Sequence, residues 1–375
     1  MKSSAGLTNR AHCDTIITGN YGKRRNTDLE SPTLAILKDP QSADDALLLD
    51  FLREAPDPER DKALFAAADA VRRKHYGTDV YLRGLIEFTN YCKNNCYYCG
   101  LRAENANAAR YRLTKEQITA CADEGYALGY RTFVLQGGED PYFTDDRICG
   151  IVSALHEAHP DCAVTLSIGE KPRASYQAYF DAGARRYLLR HETADPAHYR
   201  MLHPASMSLE NRKRCLFDLR EIGYQVGSGF MIGSPYQRPE HLLCDIRFLQ
   251  ELNPHMIGVG PYLNHPDTPF AGRPSGELHF GLRIVALLRL LFPKALLPAT
   301  TAFGTLNPLG RELALKAGAN VIMPNLSPTA VRPLYQIYEN KICTGEESAQ
   351  CRGCLERRIA SAGYRAVTAI GDSLV

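Results

Sequence analysis

Three cysteines lie close together in the stretch NYCKNNCYYCG, residues 90–100. Cys92, Cys96 and Cys99 have the spacing C-x3-C-x2-C, and no fourth cysteine lies beside them. Three thiolates can hold three corners of a four-iron cluster, which leaves the fourth iron open to another ligand. A structural zinc site requires four protein ligands. The spacing therefore predicts a 4Fe-4S cluster with one open iron, in preference to a zinc site or three incidental thiols.

Two segments further along the chain collect groups that could bind a charged ligand. In VLQGGED, residues 134–140, two glycines precede a glutamate, and glycine lets the backbone approach a neighbour closely. In RRYLLRHETADP, residues 185–196, charged side chains cluster, and near a binding site such charges pair with anions or polyhydroxyl ligands. A solvated loop is the alternative for this second segment. The candidates are Gly137, Gly138, Glu139, Arg186, Arg190, His191 and Glu192.

Eight short apolar runs alternate with amphipathic helical patterns, and these elements must position the candidate residues. The runs are VYLRGLIEF, RTFVLQ, AVTLSI, RRYLLR, YQVGSGFMI, HMIGVGPY, ALLPATT and ANVIMP. Eight strands alternating with helices predict an α/β fold, a (β/α)8 TIM-type barrel with its chemistry at the C-terminal ends of the strands. The cysteine loop directly follows the first run, where an active-site loop of such a barrel is expected.

The segments on either side of these runs indicate extensions to the barrel. The expected parts are a disordered tail (1–32), an N-terminal helical layer (33–78), the barrel (79–325) and an irregular C-terminal extension (326–375). Within the helical layer, Ser42 and Pro58 are placed as helix-start signals and Gly77 as a helix end.

Composition and charge restrict the class of partner. The sequence has 44 Lys and Arg against 42 Asp and Glu, and a net charge of +2 is too small to indicate nucleic-acid or membrane binding. No apolar run approaches the roughly 20 residues of a membrane helix. The 12 cysteines occur without a secretory signal, which favours free or metal-bound thiols in a reducing cytoplasm. The basic N-terminus, which contains Ser and Thr, leaves an organelle as the alternative.

The cysteine triplet, with Tyr98 before its last member, resembles the signature of the radical S-adenosylmethionine (SAM) enzymes. The Gly137, Gly138 and Glu139 segment resembles the glycine-glycine-glutamate turn that binds the SAM amino group in that family. The resemblance implies that the open iron chelates SAM and that one electron cleaves it to methionine and a deoxyadenosyl radical. It also implies a reductant protein such as ferredoxin or flavodoxin.

Longer segments narrow the resemblance to the HydE-type maturases of FeFe hydrogenase. They include IEFTNYCKNNCYYCGLRAENANAARYRLTKEQI, VLQGGEDPY, YLLRHETADP, PATTAFGT and LYQIYENKIC, and the likeness runs from about residue 45 to the last cysteines. The resemblance implies a cysteine-bound iron carbonyl cyanide complex as substrate, in assembly of the hydrogenase active-site cluster. It also implies other hydrogenase maturases as partners.

The same resemblance assigns roles to individual residues. Glu192 would bind the SAM ribose and Arg212 the SAM carboxylate. A cavity that accepts anions would be lined by Arg186, Arg190, Thr165, Met256, Thr300, Thr301, Met323, Tyr335 and Tyr338. Gly137 departs from the family, because serine can occupy that position there, so a substrate contact at this point does not carry over.

A second cysteine triplet follows the predicted barrel. Cys343, Cys351 and Cys354 have the spacing C-x7-C-x2-C, and C-x2-C is a common metal-binding spacing. The triplet predicts an accessory metal site, either a second iron–sulfur cluster or zinc with water or another residue as the fourth ligand. Three free thiols are the alternative.

Two other functions remain open from the sequence. A methylornithine synthase-like or biotin synthase-like radical SAM enzyme would act on another small, amino-acid-derived substrate with the same barrel and triplet. A non-catalytic iron–sulfur scaffold or electron carrier would need the cluster without the SAM-binding set, so the joint presence of that set counts against it.

Overall fold

A computed structural model describes residues 31–342, residue 345 and residues 348–375, with side chains in the last stretch described from residue 352 onward. The tail predicted over residues 1–32 therefore lies almost wholly outside the described residues. Within the described part of the chain, no helix is long and apolar enough to cross a membrane.

Three helices precede the barrel. They are α1 (Pro32–Lys38), α2 (Asp45–Arg53) and α3 (Pro58–Tyr76), with a 3-10 turn at Pro40–Ser42. Helix α3 starts at Pro58 and ends before Gly77, whose φ of 59° suits a residue without a side chain. Ser42 does not start α2 as predicted. It lies in the 3-10 turn, and the Asp44 carboxylate caps α2 by accepting from the Leu47 N–H at 2.8 Å.

The strands pair in parallel, and six of them form the central sheet. Their bounds are β1 (Asp79–Leu82), β2 (Gly84–Thr89), β3 (Thr132–Gly137), β4 (Ala163–Ser167), β5 (Ala184–Leu188), β6 (Gln225–Ser228), β7 (Met231–Ile232), β8 (Met256–Ile257), β9 (Gly260–Pro261), β10 (Val321–Ile322) and β11 (Arg365–Val367). The six-stranded sheet has the order β2-β3-β4-β5-β6-β8, and every pair in it is parallel. Chain neighbours are thus sheet neighbours, as in a barrel built from β-α units.

Short bridges close this sheet into a ring. The Ile257 N–H donates to Leu296 O at 2.9 Å, and the Ala299 N–H donates to Val321 O at 2.8 Å. The Leu326 N–H then donates to Leu85 O at 2.7 Å, which returns the ring to β2. The run ALLPATT therefore fills the seventh position through isolated bridges. The prediction of an α/β barrel is confirmed.

Helices surround the ring. They are α4 (Lys115–Ala127), α5 (Asp145–Ala158), α6 (Arg173–Asp181), α7 (Pro196–Leu202), α8 (Leu209–Ile222), α9 (Pro239–Leu252), α10 (Leu278–Leu291), α11 (Thr301–Leu306), α12 (Gly310–Lys316) and α13 (Ser348–Ser361), with a 3-10 turn at Arg332–Leu334. Helix α10 is buried along most of its length and packs against α3, so the N-terminal layer covers it. The buried Arg283 of α10 pairs with Asp61 of α3, with Nη1 and Oδ1 2.7 Å apart.

The C-terminal extension reaches both ends of the barrel. Residues 332–342 cross the end where the strands finish, and the Gly100 N–H donates there to Ile337 O at 3.0 Å. Residues 370–372 lie at the opposite end, where Arg83 Nη2 donates to Gly371 O at 3.1 Å. One segment thus covers the site end, and the other closes the base.

Candidate active site at the mouth of the barrel

The cysteine loop begins three residues after β2 ends and lies at the mouth of the barrel. Cys92, Cys96 and Cys99 are half-buried, and all three line one cavity of about 400 Å³. The loop is attached to its neighbours because the Lys93 N–H donates to Glu139 O at 2.9 Å and the Tyr97 N–H donates to Leu202 O at 3.0 Å.

The chemistry of the three thiols fits a cluster better than a single ion. Burial raises the pKa of Cys92, of Cys96 and, to about 12, of Cys99, so these thiols are protonated at neutral pH until metal replaces the proton. Among the described residues, no three Cys, His, Asp or Glu side chains converge on one ion position. A zinc ion needs convergent ligands, whereas the ligands of a cluster bind separate irons.

The Gly-Gly-Glu turn packs directly against the cysteine loop. A Cβ at Gly138 would lie 2.1 Å from Tyr91 O and 2.8 Å from Cys92 Cβ, so the close approach at this glycine is to the loop itself. Glu139 follows and is fixed at both oxygens. Its Oε1 accepts from the Glu170 N–H at 3.1 Å, and its Oε2 lies 3.3 Å from Lys93 Nζ.

Glu192 is held in a strained conformation after β5. Its φ of 66° is uncommon for a residue with a side chain, and two backbone hydrogen bonds fix it, one of them from its N–H to Gly229 O at 3.1 Å. Its Oε2 lies 3.2 Å from Arg190 Nη2 without hydrogen-bond geometry. Both atoms, and Arg190 Nε, are buried with no hydrogen-bond partner among the described residues. Since Arg190 and Glu192 line the cavity, they fit a polar ligand there.

Arg212 and Tyr98 complete this side of the cavity. Arg212 of α8 is anchored by Glu170, with Nε and Oε1 2.5 Å apart, and its Nη1 donates to Arg190 O at 2.8 Å. Burial lowers the pKa of His203 to about 3, so its ring is neutral and Nδ1 donates to Tyr199 O. His203 Nε2 then accepts from the Tyr98 hydroxyl at 3.2 Å. The structure thus gathers every residue predicted to bind SAM around the cavity that holds the cysteines.

Four of the predicted substrate-lining residues reach the same cavity beside Arg190. They are Thr300, Thr301, Met323 and Tyr338. Tyr335 is buried behind the wall, where its hydroxyl accepts from Gln136 Nε2 at 3.3 Å, and Gln136 lines the cavity in its place.

Arg186, Thr165 and Met256 do not line this cavity, and the prediction is corrected for all three. They lie at the base of the barrel around a separate space of about 10 Å³. Arg186 Nη2 donates to Asp372 Oδ1 at 2.6 Å and to Ile370 O at 3.1 Å. Arg186 lies within β5, whereas Arg190 lies two residues beyond its end, and the sequence does not state how deep either side chain lies in the barrel. His191 is also fully buried, and its Nδ1 lies 3.0 Å from Ser228 Oγ.

Several polar residues that line the cavity have no counterpart in the sequence prediction. They are Glu87, Gln136, Ser167, Asn325 and Lys341. Glu87 carried a signal, because it is the one charged residue in the strand GLIEFT. Lys341 carried none, since it belongs to an irregular segment whose position depends on the folded chain.

The structure describes only part of the second cysteine triplet. Cys343 lies outside the described residues, the side chain of Cys351 is not among those described, and Cys354 is exposed on α13. The accessory metal site stays a prediction.

Comparison with known proteins places this geometry in a family. The model of the radical SAM superfamily matches residues 86–249. The [FeFe] hydrogenase maturase subunit HydE of Thermotoga maritima is 48% identical over 304 residues, which cover 81% of this chain and 86% of that protein. The 3-methylornithine synthase of Methanosarcina barkeri is 31% identical over 267 residues, which cover 71% of this chain and 75% of that protein.

Solved structures agree on the fold. The crystal structure of methylornithine synthase (PylB) has a TM-score of 0.77 at 27% identity and covers 90% of this chain and 97% of that one. The crystal structure of HydG, a maturase of the [FeFe]-hydrogenase, has a TM-score of 0.76 at 18% identity and covers 96% of this chain and 78% of that one. At that identity, the HydG likeness concerns the fold alone.

Proposed function

The chain belongs to the radical SAM superfamily as a HydE-like enzyme, and from this premise we propose that it acts on a cysteine-bound iron carbonyl cyanide complex during assembly of the FeFe hydrogenase active-site cluster. Its cofactors are a 4Fe-4S cluster and SAM. The substrate proposal is supported by the 48% identity to a HydE subunit. It is also supported by one observation on the site, which is that the cysteine loop, the SAM-binding set and the threonine wall share a single cavity.

The cofactors supply the radical chemistry, because an electron from the reduced cluster cleaves bound SAM to a deoxyadenosyl radical. The residues of the chain bind and orient. Cys92, Cys96 and Cys99 would hold three irons, and Gly138 packs against the loop that carries these cysteines.

The SAM-binding residues are positioned by bonds within the chain before any ligand arrives. Glu170 fixes Arg212 through Oε1, and its N–H holds Glu139, so one residue sets the position of both. The left-handed conformation of Glu192 directs a carboxylate beside Arg190. In the proposal, Arg212 pairs with the SAM carboxylate and Glu192 accepts from the ribose hydroxyls. Preorganised partners of this kind orient a cofactor without further rearrangement.

A further group of residues in the cavity suits an anionic complex with small polar ligands. Arg190 brings N–H groups that lack hydrogen-bond partners in the described structure, and a guanidinium pairs well with anions. Thr300, Thr301 and Tyr338 bring hydroxyls that hydrogen-bond without strong acid or base chemistry. Residues 332–342 cross the mouth and would exclude water from the radical.

The test is anaerobic reconstitution followed by reduction and addition of SAM. Deoxyadenosine is measured with and without a cysteine-bound iron carbonyl cyanide complex, using ferredoxin or flavodoxin and then dithionite as the reductant. Strong stimulation by the complex is expected. Slow cleavage that the complex does not stimulate would overturn the substrate while leaving the enzyme class intact.

A second candidate is a methylornithine synthase-like activity, favoured by the 31% identity to one such enzyme and by the TM-score of 0.77 to another. The same reduced protein is incubated with SAM and a mixture of the protein amino acids. Formation of 3-methylornithine would favour this candidate, and its absence together with stimulation by the iron complex would exclude it.

A further inference from the structure

A set of polar residues lines one side of the cavity, apart from the residues proposed to bind SAM. Glu87, Gln136 and Ser167 occupy matching positions on β2, β3 and β4, so their side chains point to the same face. Asn325 and Lys341 reach the same cavity from the closing segment of the barrel and from the C-terminal extension. We name these five residues the polar arc.

The centre of the polar arc is an ion pair between residues 254 positions apart in the chain. Lys341 Nζ donates to Glu87 Oε1 at 2.5 Å and to Tyr335 O at 3.1 Å. Asn325 Nδ2 donates to Glu87 Oε2 at 2.7 Å. Burial raises the pKa of Glu87, and the ammonium and the amide on its two oxygens oppose that rise.

This ion pair is an expensive way to hold the C-terminal extension in place. The attraction within a buried ion pair does little more than offset the free energy lost when its two charges leave water. Apolar side chains of similar size often stabilise a protein equally well. The same extension already places apolar Ile337 and Ile342 on the cavity wall, and the Glu339 N–H donates to Asn264 O at 3.0 Å. The two charges therefore indicate that the pair binds a ligand in addition to holding the extension in place.

The bonding capacity of the pair leaves room for a ligand. An ammonium has three N–H donors, and the described structure gives Lys341 two acceptors. A carboxylate accepts up to about four hydrogen bonds, and the side-chain oxygens of Glu87 receive two. Both residues line the cavity, so the remaining capacity on each lies beside the space that a substrate would fill.

We infer that the polar arc binds the ammonium and carboxylate groups of an amino-acid portion of the substrate, with Lys341 pairing with the carboxylate and Glu87 with the ammonium. The pair presents one charge of each sign to the cavity. A zwitterion complements both charges at once. This inference rests on the proposed function, in which the substrate carries a cysteine, and it names the residues that recognise that part.

The probe is S-methyl-L-cysteine, whose blocked sulfur cannot act as a thiolate ligand of iron. Isothermal titration calorimetry measures its binding to the cluster-loaded, unreduced protein saturated with SAM. Two blocked forms, the N-acetyl derivative and the methyl ester, each remove one charge. The wild-type protein is expected to bind the zwitterion about tenfold to a hundredfold more tightly than either blocked form.

The variants assign each charge to its partner. Lys341→Met should remove the penalty for the methyl ester relative to the zwitterion, and Glu87→Gln should remove the penalty for the N-acetyl form. The double variant Glu87→Gln with Lys341→Met leaves no unpaired buried charge and should bind all three compounds with similar, weak affinity. Asp61→Asn is the matched control, because it breaks the buried pair with Arg283 outside the cavity and should lower the melting temperature without changing binding.

The outcomes separate this inference from the proposed function. A wild-type protein without preference for the zwitterion, or a double variant that keeps the preference, would overturn the inference and leave the pair as a tether. If S-methyl-L-cysteine binding depends on Lys341 while the iron complex fails to stimulate SAM cleavage, the polar arc stands and the proposed substrate falls. If the iron complex stimulates SAM cleavage with the same concentration dependence in the wild-type protein and in the double variant, the proposed substrate stands and the inference about the polar arc falls.

Discussion

The two ends of the barrel treat similar side chains differently. At the base, Arg186 donates three hydrogen bonds to the chain itself, to Thr132 Oγ1, Ile370 O and Asp372 Oδ1. At the mouth, Arg190 lies two residues beyond the end of the same strand. Two of its buried nitrogen atoms have no hydrogen-bond partner in the described structure, although Nη2 lies 3.2 Å from Glu192 Oε2. The base encloses about 10 Å³ and the mouth about 400 Å³.

This difference shows where the chain has left its polar groups for a ligand. The last residues fold over the base and accept hydrogen bonds from Arg186 and Arg83, although Arg83 Nε has no hydrogen-bond partner among the described residues. The base encloses about 10 Å³, too little for a substrate, so these contacts serve stability. Residues 332–342 cross the mouth but leave the cysteines, Arg190 and Glu192 facing the cavity. Four experiments test the contrast, and they are ordered from the largest expected effect to the smallest.

Loss of one cluster ligand should abolish activity at the mouth. Cys96→Ala leaves two of the three thiols, so iron content should fall and deoxyadenosine should not exceed the level without enzyme. Iron analysis, the visible spectrum and product quantification check this. Cys149→Ala is the control, because Cys149 is a half-buried thiol on α5 away from the cavity, and it should retain full cleavage. Cleavage by Cys96→Ala at the control rate would contradict the assignment of the site.

A methyl group at Gly138 should damage the mouth nearly as much. The added Cβ would meet Tyr91 O at 2.1 Å and push the cysteine loop away, which should lower cluster content and SAM cleavage about tenfold or more. Gly150→Ala is the matched change on α5, where a Cβ meets nothing within 4 Å. It should raise the free energy of unfolding by about 0.5–1 kcal/mol and leave cleavage unchanged. Equal behaviour of the two variants would remove the packing argument.

The two arginines of the β5 segment should fail in different ways. Arg190→Met should weaken the stimulation of SAM cleavage by the iron complex about tenfold to a hundredfold. It should lower stability less than Arg186→Met, because the Arg190 side chain is 31% exposed and pairs with Glu192. Arg186→Met removes the hydrogen bonds of a buried guanidinium and should lower the free energy of unfolding by about 1–3 kcal/mol. The loss is limited because the side chain of Asp372 is 61% exposed and can return to water. Denaturant unfolding and deoxyadenosine kinetics separate the two effects. Loss of stimulation in Arg186→Met together with loss of stability in Arg190→Met would contradict the roles assigned to the two ends of the barrel.

The pH dependence of stability should show the smallest difference between the two ends of the barrel. Burial disfavours the ionised forms of Asp140 and Asp372, but the hydrogen bonds and nearby positive charges together outweigh it and lower both pKa values, with Arg112 and Arg186 the largest contributors. A lowered folded pKa contributes stability that is present above the unfolded value of about 3.9 and is lost as pH falls through the folded value. Asp140→Asn and Asp372→Asn should each remove about 1 kcal/mol or less of this dependence, with the smaller effect at the more exposed Asp372. Unfolding curves between about pH 6 and pH 3 measure it, and a variant with the wild-type slope would exclude that pair as the source.

Much of the framework could be predicted from the sequence because it depends on local patterns. Each of the eight apolar runs occupies a position in the barrel, and the C-x3-C-x2-C loop follows the first strand of the ring. The run ALLPATT shows where local pattern ends. It pairs through isolated bridges at Leu296 and Pro298, because its neighbours in the ring, β8 and β10, are only two residues long.

The site was predicted less evenly. Residues carried by a motif, such as Glu139, Glu192 and Arg212, all reach the cavity. Arg186 is an arginine four residues from Arg190, but it lies at the base of the barrel. Alternation along a strand predicts the face on which a side chain lies and leaves its depth in the barrel open. The pair of Glu87 and Lys341 was not predictable, because 254 residues separate its members.

The sequence by itself determined the barrel and the family and predicted the cluster ligands, because ligand type, spacing and strand periodicity are properties of short segments. Only the tertiary structure decided which charged side chains meet a ligand and which are satisfied by the chain. That division depends on where two distant parts of the C-terminal extension fold, one across the mouth at Ile337 and the other into the base at Asp372. Contacts of this range follow from closure of the whole barrel.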